Sequence, residues 1–118
     1  GDEISETKIN LDYLNQKMSY SNVNMVANNI SSGNTLACDT PIQDKVVENS
    51  SVRVFINGVE IIVGTDCYFS PDIDGTNVRN VGSEQQGDYL HWSYSGGEPN
   101  IGYELTTVDK VSFMYLTY

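Results

Sequence analysis

Positive charge is the scarcest feature of this 118-residue sequence, which holds 6 Lys and Arg against 16 Asp and Glu. The formal net charge is -10 at pH 7. The six cations stand singly along the chain, at Lys8, Lys17, Lys45, Arg53, Arg79 and Lys110. Because binding to nucleic acid or to an anionic membrane surface needs clustered cations, neither partner is expected.

Long hydrophobic runs are also missing, and no segment approaches the roughly 20 apolar residues of a membrane-spanning helix. We therefore expect no membrane insertion. The length of 118 residues corresponds to one domain, large enough to bury a modest core of its own.

Cysteine and histidine are rare, which limits the chemistry open to the chain. Cys38 and Cys67 form no C-x-x-C pair and belong to no Cys/His array, so no zinc site is indicated. They are interpreted either as one disulfide or as two buried thiols, and the residues leave both readings open. His91 is the one imidazole, and no third group or oxyanion-hole motif accompanies a Cys67/His91 pair. Enzymatic activity is therefore not expected, and no cofactor is implied.

Residues 3–18 form the one segment with helical periodicity. Ile4, Leu11, Leu14 and Met18 follow an a/d spacing over two heptads. This pattern predicts an N-terminal α-helix within residues 1–20, followed by a β domain over residues 21–118. A lone helix of this length is marginal in water, so its apolar stripe needs a partner. That partner is either the β domain of the same chain or a short bundle of identical chains, in which the four residues form an oligomer interface.

After residue 20, short apolar runs alternate with Asn, Ser, Gly and Asp clusters, a pattern typical of an all-β domain. Asn57-Gly58, between two apolar runs, predicts a type I′ hairpin turn. The final run carries apolar residues on both of its faces and therefore predicts a strand covered on both sides. The expected architecture is an antiparallel β-sandwich or jelly-roll-like domain. Its strands are predicted at residues 23–27, 35–38, 52–56, 59–63, 67–70, 78–81, 88–94, 101–105 and 111–118.

The segment DCYFSPDIDGTNVR, residues 66–79, has acidic and amide side chains at Asp72, Asp74 and Asn77 that could bind calcium. An EF-hand register that places Gly75 sixth would put Val81 at the twelfth position, where a bidentate Glu is required. The flanking runs are also strand-like rather than helical. The favoured interpretation is a β-hairpin whose turn spans Asp72 to Gly75.

Aromatic residues are plentiful, and four of them flank the loop over residues 95–102. Aromatic rings beside Asn, Asp and Glu acceptors are typical of sites that bind sugars or protein surfaces. The alternative interpretation places the same rings in the core of the sheet. The candidate glycan platform consists of Tyr89, Trp92, Tyr94 and Tyr103.

Several motifs in order, VRVFINGVEIIVG, DCYFSPD with a DG turn, NVR, GDYLHWSY and IGYELTTVDKVSFMYLTY, resemble one family. That family is a small β domain at or near the C-termini of tail and fibre proteins of tailed bacteriophages, and the resemblance spans roughly residues 23–118. It implies a non-catalytic virion module, assembled in the host cytoplasm and exposed on the particle, that is commonly homotrimeric. Tail-fibre, baseplate-tip and capsid-decorating roles all fit it, with other virion proteins and a host-surface glycan as partners. The alternative hypothesis is a monomeric carbohydrate-binding module of a secreted protein.

Overall fold

The structure, a computed structural model, describes residues 16–23, 25–28, 35–38, 40–92, 99–103 and 105–118. Regular structure within these ranges is entirely β, and all strand pairs in the sheets are antiparallel. None of the described segments forms a helix that could span a membrane. The strands are β1 (Lys17–Val23), β2 (Met25–Asn28), β3 (Thr35–Cys38), β4 (Arg53–Ile56), β5 (Val59–Ile61), β6 (Tyr68–Ser70), β7 (Tyr89–His91) and β8 (Val111–Thr117).

The largest sheet has four strands in the order β1-β8-β4-β5. Strand β8 lies inside it, pairing with β1 over seven residues and with β4 on its other side. Two further sheets have two strands each, β2 with β3 and β6 with β7. The sequence prediction of a mainly β, antiparallel architecture is therefore confirmed.

The hairpin between β4 and β5 forms where Asn57-Gly58 predicted it. Both turn residues have positive φ angles, 52° and 80°, as a type I′ turn requires. The Asn57 side chain also reaches across to the turn before β8. Its Nδ2 donates to Asp109 Oδ1 at 2.9 Å, and its Oδ1 accepts from the backbone N–H of Lys110 at 2.9 Å. The turn residue thus fixes the hairpin and the start of β8 together.

The core lies on one side of the four-stranded sheet, which we call the inner face. In β8, Val111, Phe113 and Tyr115 point into it and are almost completely buried. Phe69 of β6 packs edge-to-face on Phe113, with ring centroids 5.3 Å apart, so the β6–β7 sheet shares this core. Other buried apolar members of the core are Cys38, Ile42, Val46, Val52, Val54, Ile56, Cys67, Leu90 and Leu105.

One half-buried carboxyl group, that of Asp44, ties the segment before β4 to the sheet. Asp44 Oδ2 accepts hydrogen bonds from the Tyr115 hydroxyl at 2.7 Å and from Ser19 Oγ at 3.0 Å. The same segment bonds to the end of β8 through the N–H of Val47, which donates to the Leu116 carbonyl at 2.9 Å. The hydroxyl groups of Ser19 in β1 and Tyr115 in β8 are thereby both hydrogen-bonded.

The prediction of a helix is wrong for Lys17–Tyr20, because these residues belong to β1. Their side chains alternate between the two faces of the sheet, and β8 supplies backbone hydrogen bonds along the whole strand. Pairing with a long neighbouring strand outweighs a heptad spacing that gives only a marginal helix. The rest of the predicted helix, residues 1–15, lies outside the described residues.

Most predicted strands are confirmed to within a few residues, but residues 78–81 form no strand, and neither do the described residues of 101–105. Strand β6 pairs instead with β7, across a connection of eighteen residues, so the predicted hairpin within residues 66–79 is wrong. Within the connection between β6 and β7, two contacts fix Arg79. Its N–H donates to the Phe69 carbonyl at 2.8 Å, and its guanidinium pairs with the buried Asp88 at 3.0 Å.

Candidate functional site

The candidate site lies on the side of the β6–β7 sheet that faces away from the core. Tyr68 stands opposite His91 and Ser70 opposite Tyr89 on this side, while Phe69 and Leu90 point into the core. The rings of Tyr68 and His91 stack with centroids 5.4 Å apart. This side therefore carries a row of aromatic and polar groups beneath the loop that follows β6.

The loop over residues 71–77 is fastened to that row of rings. The predicted turn is present, since the N–H of Gly75 donates to the Asp72 carbonyl at 3.0 Å. The Tyr68 hydroxyl donates to the Gly75 carbonyl at 3.1 Å, and His91 Nε2 contacts the Asp72 carbonyl at 3.1 Å. Gly75 has a φ of 76°, and a Cβ there would lie only 2.7 Å from the Tyr68 hydroxyl oxygen. A side chain at this position would push the loop off the sheet.

Both carboxylates of the loop are oriented by hydrogen bonds within it. Asp72 Oδ2 accepts from the N–H of Asn77 at 3.1 Å and from its Nδ2 at 2.6 Å. Asp74 Oδ1 accepts from the hydroxyl and the N–H of Thr76, at 2.6 and 3.1 Å. These bonds to Thr76 hold the pKa of Asp74 below its ordinary value, so this carboxylate is ionised at neutral pH.

A shallow groove of about 630 Å³ lies between the loop and β7. Its lining includes two carboxylates and no cation, and Ile73 exposes 62% of its surface beside them. The Tyr89 ring is half-buried and supplies the aromatic wall. We call this groove the Tyr89 groove. Its lining residues are Pro71, Asp72, Ile73, Asp74, Thr76, Asn77 and Tyr89.

Three residues of the predicted glycan platform are described by the structure, and of these Tyr89 alone lines the groove. Tyr89 lines the groove, whereas Trp92 is half-buried against the core cluster. Tyr103 is half-exposed and does not line the groove. Tyr94 lies outside the described residues. Alternation along β7 explains the split of Tyr89 and Trp92, because positions three apart in an extended chain point to opposite sides.

The residues considered for calcium, Asp72, Asp74 and Asn77, do lie in one loop. The Asn77 amide turns its nitrogen, not its oxygen, toward Asp72. Within the described ranges, no group of three or more His, Cys, Asp or Glu side chains is placed to hold a metal ion. The hydrogen bonds of these three residues give the loop its shape.

Cys67 and His91 have separate surroundings. Cys67 is fully buried in the core, and burial raises the pKa of its thiol to about 12. Burial also lowers the pKa of His91 below its ordinary value, so the imidazole is neutral at physiological pH. No hydrogen bond joins the two side chains. Cys38 and Cys67 are both buried thiols in the structure.

The other side of the four-stranded sheet is a second surface of interest, and we call it the outer face. Strand register puts Met18 opposite Leu116 and Tyr20 opposite Met114 on this side, away from the core. Met18 and Tyr20 expose 57% and 58% of their surface, and the other members are half-buried. The outer face consists of Met18, Tyr20, Phe55, Met114 and Leu116. Three residues predicted to join Met18 in an oligomer interface, Ile4, Leu11 and Leu14, lie outside the described residues.

Sequence reasoning missed two features of these surfaces. It did not connect residues 71–77 with Tyr89, because twelve or more residues separate them and only the β6–β7 pairing joins them. It also placed Met18 on a helix rather than on a sheet. The period-two alternation of Met18 and Tyr20 with Lys17 and Ser19 was the available signal.

No family model, curated protein or solved structure matches the chain. The functional interpretation therefore depends on the residues and on their geometry.

Proposed function

We propose that the chain is a non-catalytic structural module of a tailed-phage virion and that it assembles as a homotrimer with other virion proteins. It would serve in a tail fibre, in a baseplate tip or as a capsid decoration, on a particle assembled in the host cytoplasm. The observation that carries the assembly role is the outer face, where apolar side chains of β1 and β8 lie side by side. Contiguous exposed apolar patches mark interaction surfaces.

The free energy available from this face favours association. Burying one large apolar side chain completely contributes about 1.5–3 kcal/mol. Specific interfaces commonly bury about 800 Å² on each partner, and in a closed trimer every chain contacts two neighbours. The Arg53–Glu60 ion pair lies at the β4–β5 side of the same face and would form the polar rim of the contact.

The N-terminal heptads extend the proposed contact. Ile4, Leu11 and Leu14 carry the heptad spacing in the segment that leads directly into β1. Met18, from the first residues of β1, contributes to the contact from the sheet. The assembly proposal thus joins a short bundle with the outer faces of three sheets.

We further infer a β-sandwich for each chain. The contact between Phe69 and Phe113 supports it, because these rings come from different sheets and meet in one core. A jelly-roll-like arrangement is the finer form of the same proposal.

Light scattering after size exclusion tests the assembly role at micromolar concentration. The unmodified chain should have three times its 13.1 kDa mass. The double variant Met18→Lys, Tyr20→Lys should be a folded monomer, because six ammonium groups cannot be buried around one axis. Val108→Lys is the matched control, since Val108 is 81% exposed in a turn outside the outer face. A monomeric unmodified chain, or a double variant with unchanged mass, would contradict the proposal.

A second candidate function is a carbohydrate-binding module, either monomeric or as the host-glycan contact of the trimer. The Tyr89 groove favours it, because an aromatic wall stands beside oriented carboxylates and a threonine hydroxyl. The oxygens not used within the loop, Asp72 Oδ1 and Asp74 Oδ2, would accept hydrogen bonds from sugar hydroxyls. Two carboxylates without a cation select neutral over acidic glycans.

Binding to a glycan array tests this second role. Neutral glycans should bind, and Tyr89→Ala should reduce the signal at least tenfold. Tyr103→Ala is the control, because Tyr103 is a half-exposed tyrosine outside the groove. Preferential binding of acidic glycans, or equal loss in both variants, would contradict the role assigned to the groove.

A further inference from the structure

A cavity of about 590 Å³ lies between two chain segments, residues 45–49 and residues 82–86. The first segment bonds to the end of β8, and the second forms the turn before β7. The lining of the cavity combines the buried Val46 and Val47 with the polar side chains of the turn. It shares no residue with the Tyr89 groove or with the outer face, and we call it the Glu84 cavity.

Glu84 sets this cavity apart, because only 4% of the residue is exposed. Its Oε2 accepts a hydrogen bond from the N–H of Gly82 at 2.9 Å. Its Oε1 is the one buried side-chain polar atom in the described part of the chain that has no hydrogen-bond partner. Burial raises the pKa of the carboxyl group above its ordinary value. A buried acceptor without a donor calls for an explanation such as a bound group.

The charges around the cavity define what that group would be. Glu48 supplies a second carboxylate to the lining, against the single cation Lys45. The Lys45 ammonium is placed over the Tyr118 ring, 5.4 Å from its centroid, and so has a contact of its own. A donor carrying a positive charge is therefore favoured over an anion. The valine surface suits a short alkyl stem attached to that donor.

We propose that the Glu84 cavity binds a primary alkylammonium group, and that the Glu84 side chain turns to bring Oε1, which is closed to solvent in the structure, into hydrogen-bond contact with that group. The group is either the end of a lysine side chain of a partner protein or a free alkylamine. Val46 and Val47 contact the methylene stem, and Glu48 adds favourable charge at the rim. A divalent metal ion fits less well, because no cluster of three ligating side chains occurs within the described ranges.

Amide-detected NMR titrations of the full chain with n-butylammonium chloride and with n-butanol test the proposal. The ammonium probe should give saturable shifts confined to residues 45–49 and 82–86, and butanol should bind at least tenfold more weakly. Glu84→Gln keeps the size of the side chain and should weaken butylammonium binding at least tenfold. Glu60→Gln is the matched control and should leave binding unchanged, because Glu60 lies on β5, outside the cavity.

Two peptides distinguish the sources of the ammonium group. If acetyl-Gly-Lys-Gly-amide binds more tightly than butylammonium, and its Nε-acetylated form does not bind, the cavity accepts a protein lysine. If butylammonium binds and the peptide does not, the ligand is a free amine.

The proposal is overturned if no saturable shifts occur, if butanol matches butylammonium, or if the glutamine variant binds like the unmodified chain. Should that variant fail to fold, the ratio of butylammonium to butanol affinity in the unmodified chain decides alone. None of these measurements depends on the oligomeric state, so their failure is separate from failure of the assembly proposal.

Discussion

The two faces of the four-stranded sheet carry similar side chains but differ in their covering. On the inner face, Val111, Phe113 and Tyr115 of β8 are at most 1% exposed. On the outer face, Met18 and Tyr20 leave more than half of their surface exposed. Both sets alternate along paired strands, so strand geometry alone would treat them alike. The chain covers the inner face itself, and in the proposed trimer the neighbouring chains cover the outer face.

The largest expected effect concerns the inner face. Phe113→Ala removes a ring that is fully buried and packed on Phe69, and it leaves a cavity. We expect the free energy of unfolding to fall by about 3–5 kcal/mol, measured by urea denaturation. The loss should not depend on protein concentration. A loss below about 1 kcal/mol would show that the inner face is not the core.

A smaller effect is expected from the hydrogen bond between Tyr115 of the inner face and Asp44. Tyr115→Phe removes the hydroxyl that donates to Asp44 and keeps the ring. The free energy of unfolding should fall by about 0.5–1.5 kcal/mol in the same urea experiment. Asp44 retains its bond from Ser19, which limits the loss. An unchanged stability would mean that this hydrogen bond contributes nothing beyond what water supplies.

On the outer face, Met114→Ala tests the neighbour of Phe113 on the same strand. Met114 is half-buried, so the variant should lose less than about 1 kcal/mol at the lowest measurable concentration. The loss should grow as the concentration rises, because association stabilises the unmodified chain by mass action. Thermal unfolding over a hundredfold concentration range checks this. A loss that stays constant would remove the distinction between the two faces.

The smallest effect is the pH dependence that Glu84 introduces beside the core. Its folded pKa is raised above the ordinary value near 4.5, chiefly by burial. Between the ordinary pKa of the unfolded chain and the raised pKa of the folded chain, the folded state holds more protons than the unfolded state. The free energy of unfolding therefore falls as the pH rises from the first pKa to the second. Glu84→Gln should remove this decline. Urea denaturation between pH 4 and 8 measures it, and an identical slope in both proteins would contradict the assignment.

Local signals in the sequence predicted the parts of the fold that depend on local chemistry. Asn57-Gly58 predicted its hairpin because few other residue pairs adopt two positive φ angles. The apolar run from Val111 to Thr117 predicted β8, because β-branched and aromatic residues favour an extended strand. The partner of β6 could not be predicted in this way, because a turn at Asp72–Gly75 determines only local conformation. Pairing with β7 depends on contacts across the whole domain.

The candidate sites were predicted less completely than the fold. The sequence identified Tyr89 and the acidic loop separately, and only the β6–β7 register brings them together. It gave no indication of Glu84, because a buried carboxylate looks the same in sequence as one on the surface. Two acidic residues of the described ranges are buried, and Glu84 differs from Asp88 because Asp88 pairs with Arg79 whereas Glu84 Oε1 has no partner.

Sedimentation equilibrium of the unmodified chain, from about 1 to 100 μM, tests the central claim most directly. If the outer face is covered by neighbouring chains, the mass should approach three times 13.1 kDa as the concentration rises. Methionine oxidation in the same samples should slow at Met18 as the trimer forms. A mass of one chain throughout this range, with Met18 oxidised at a constant rate, would contradict the account.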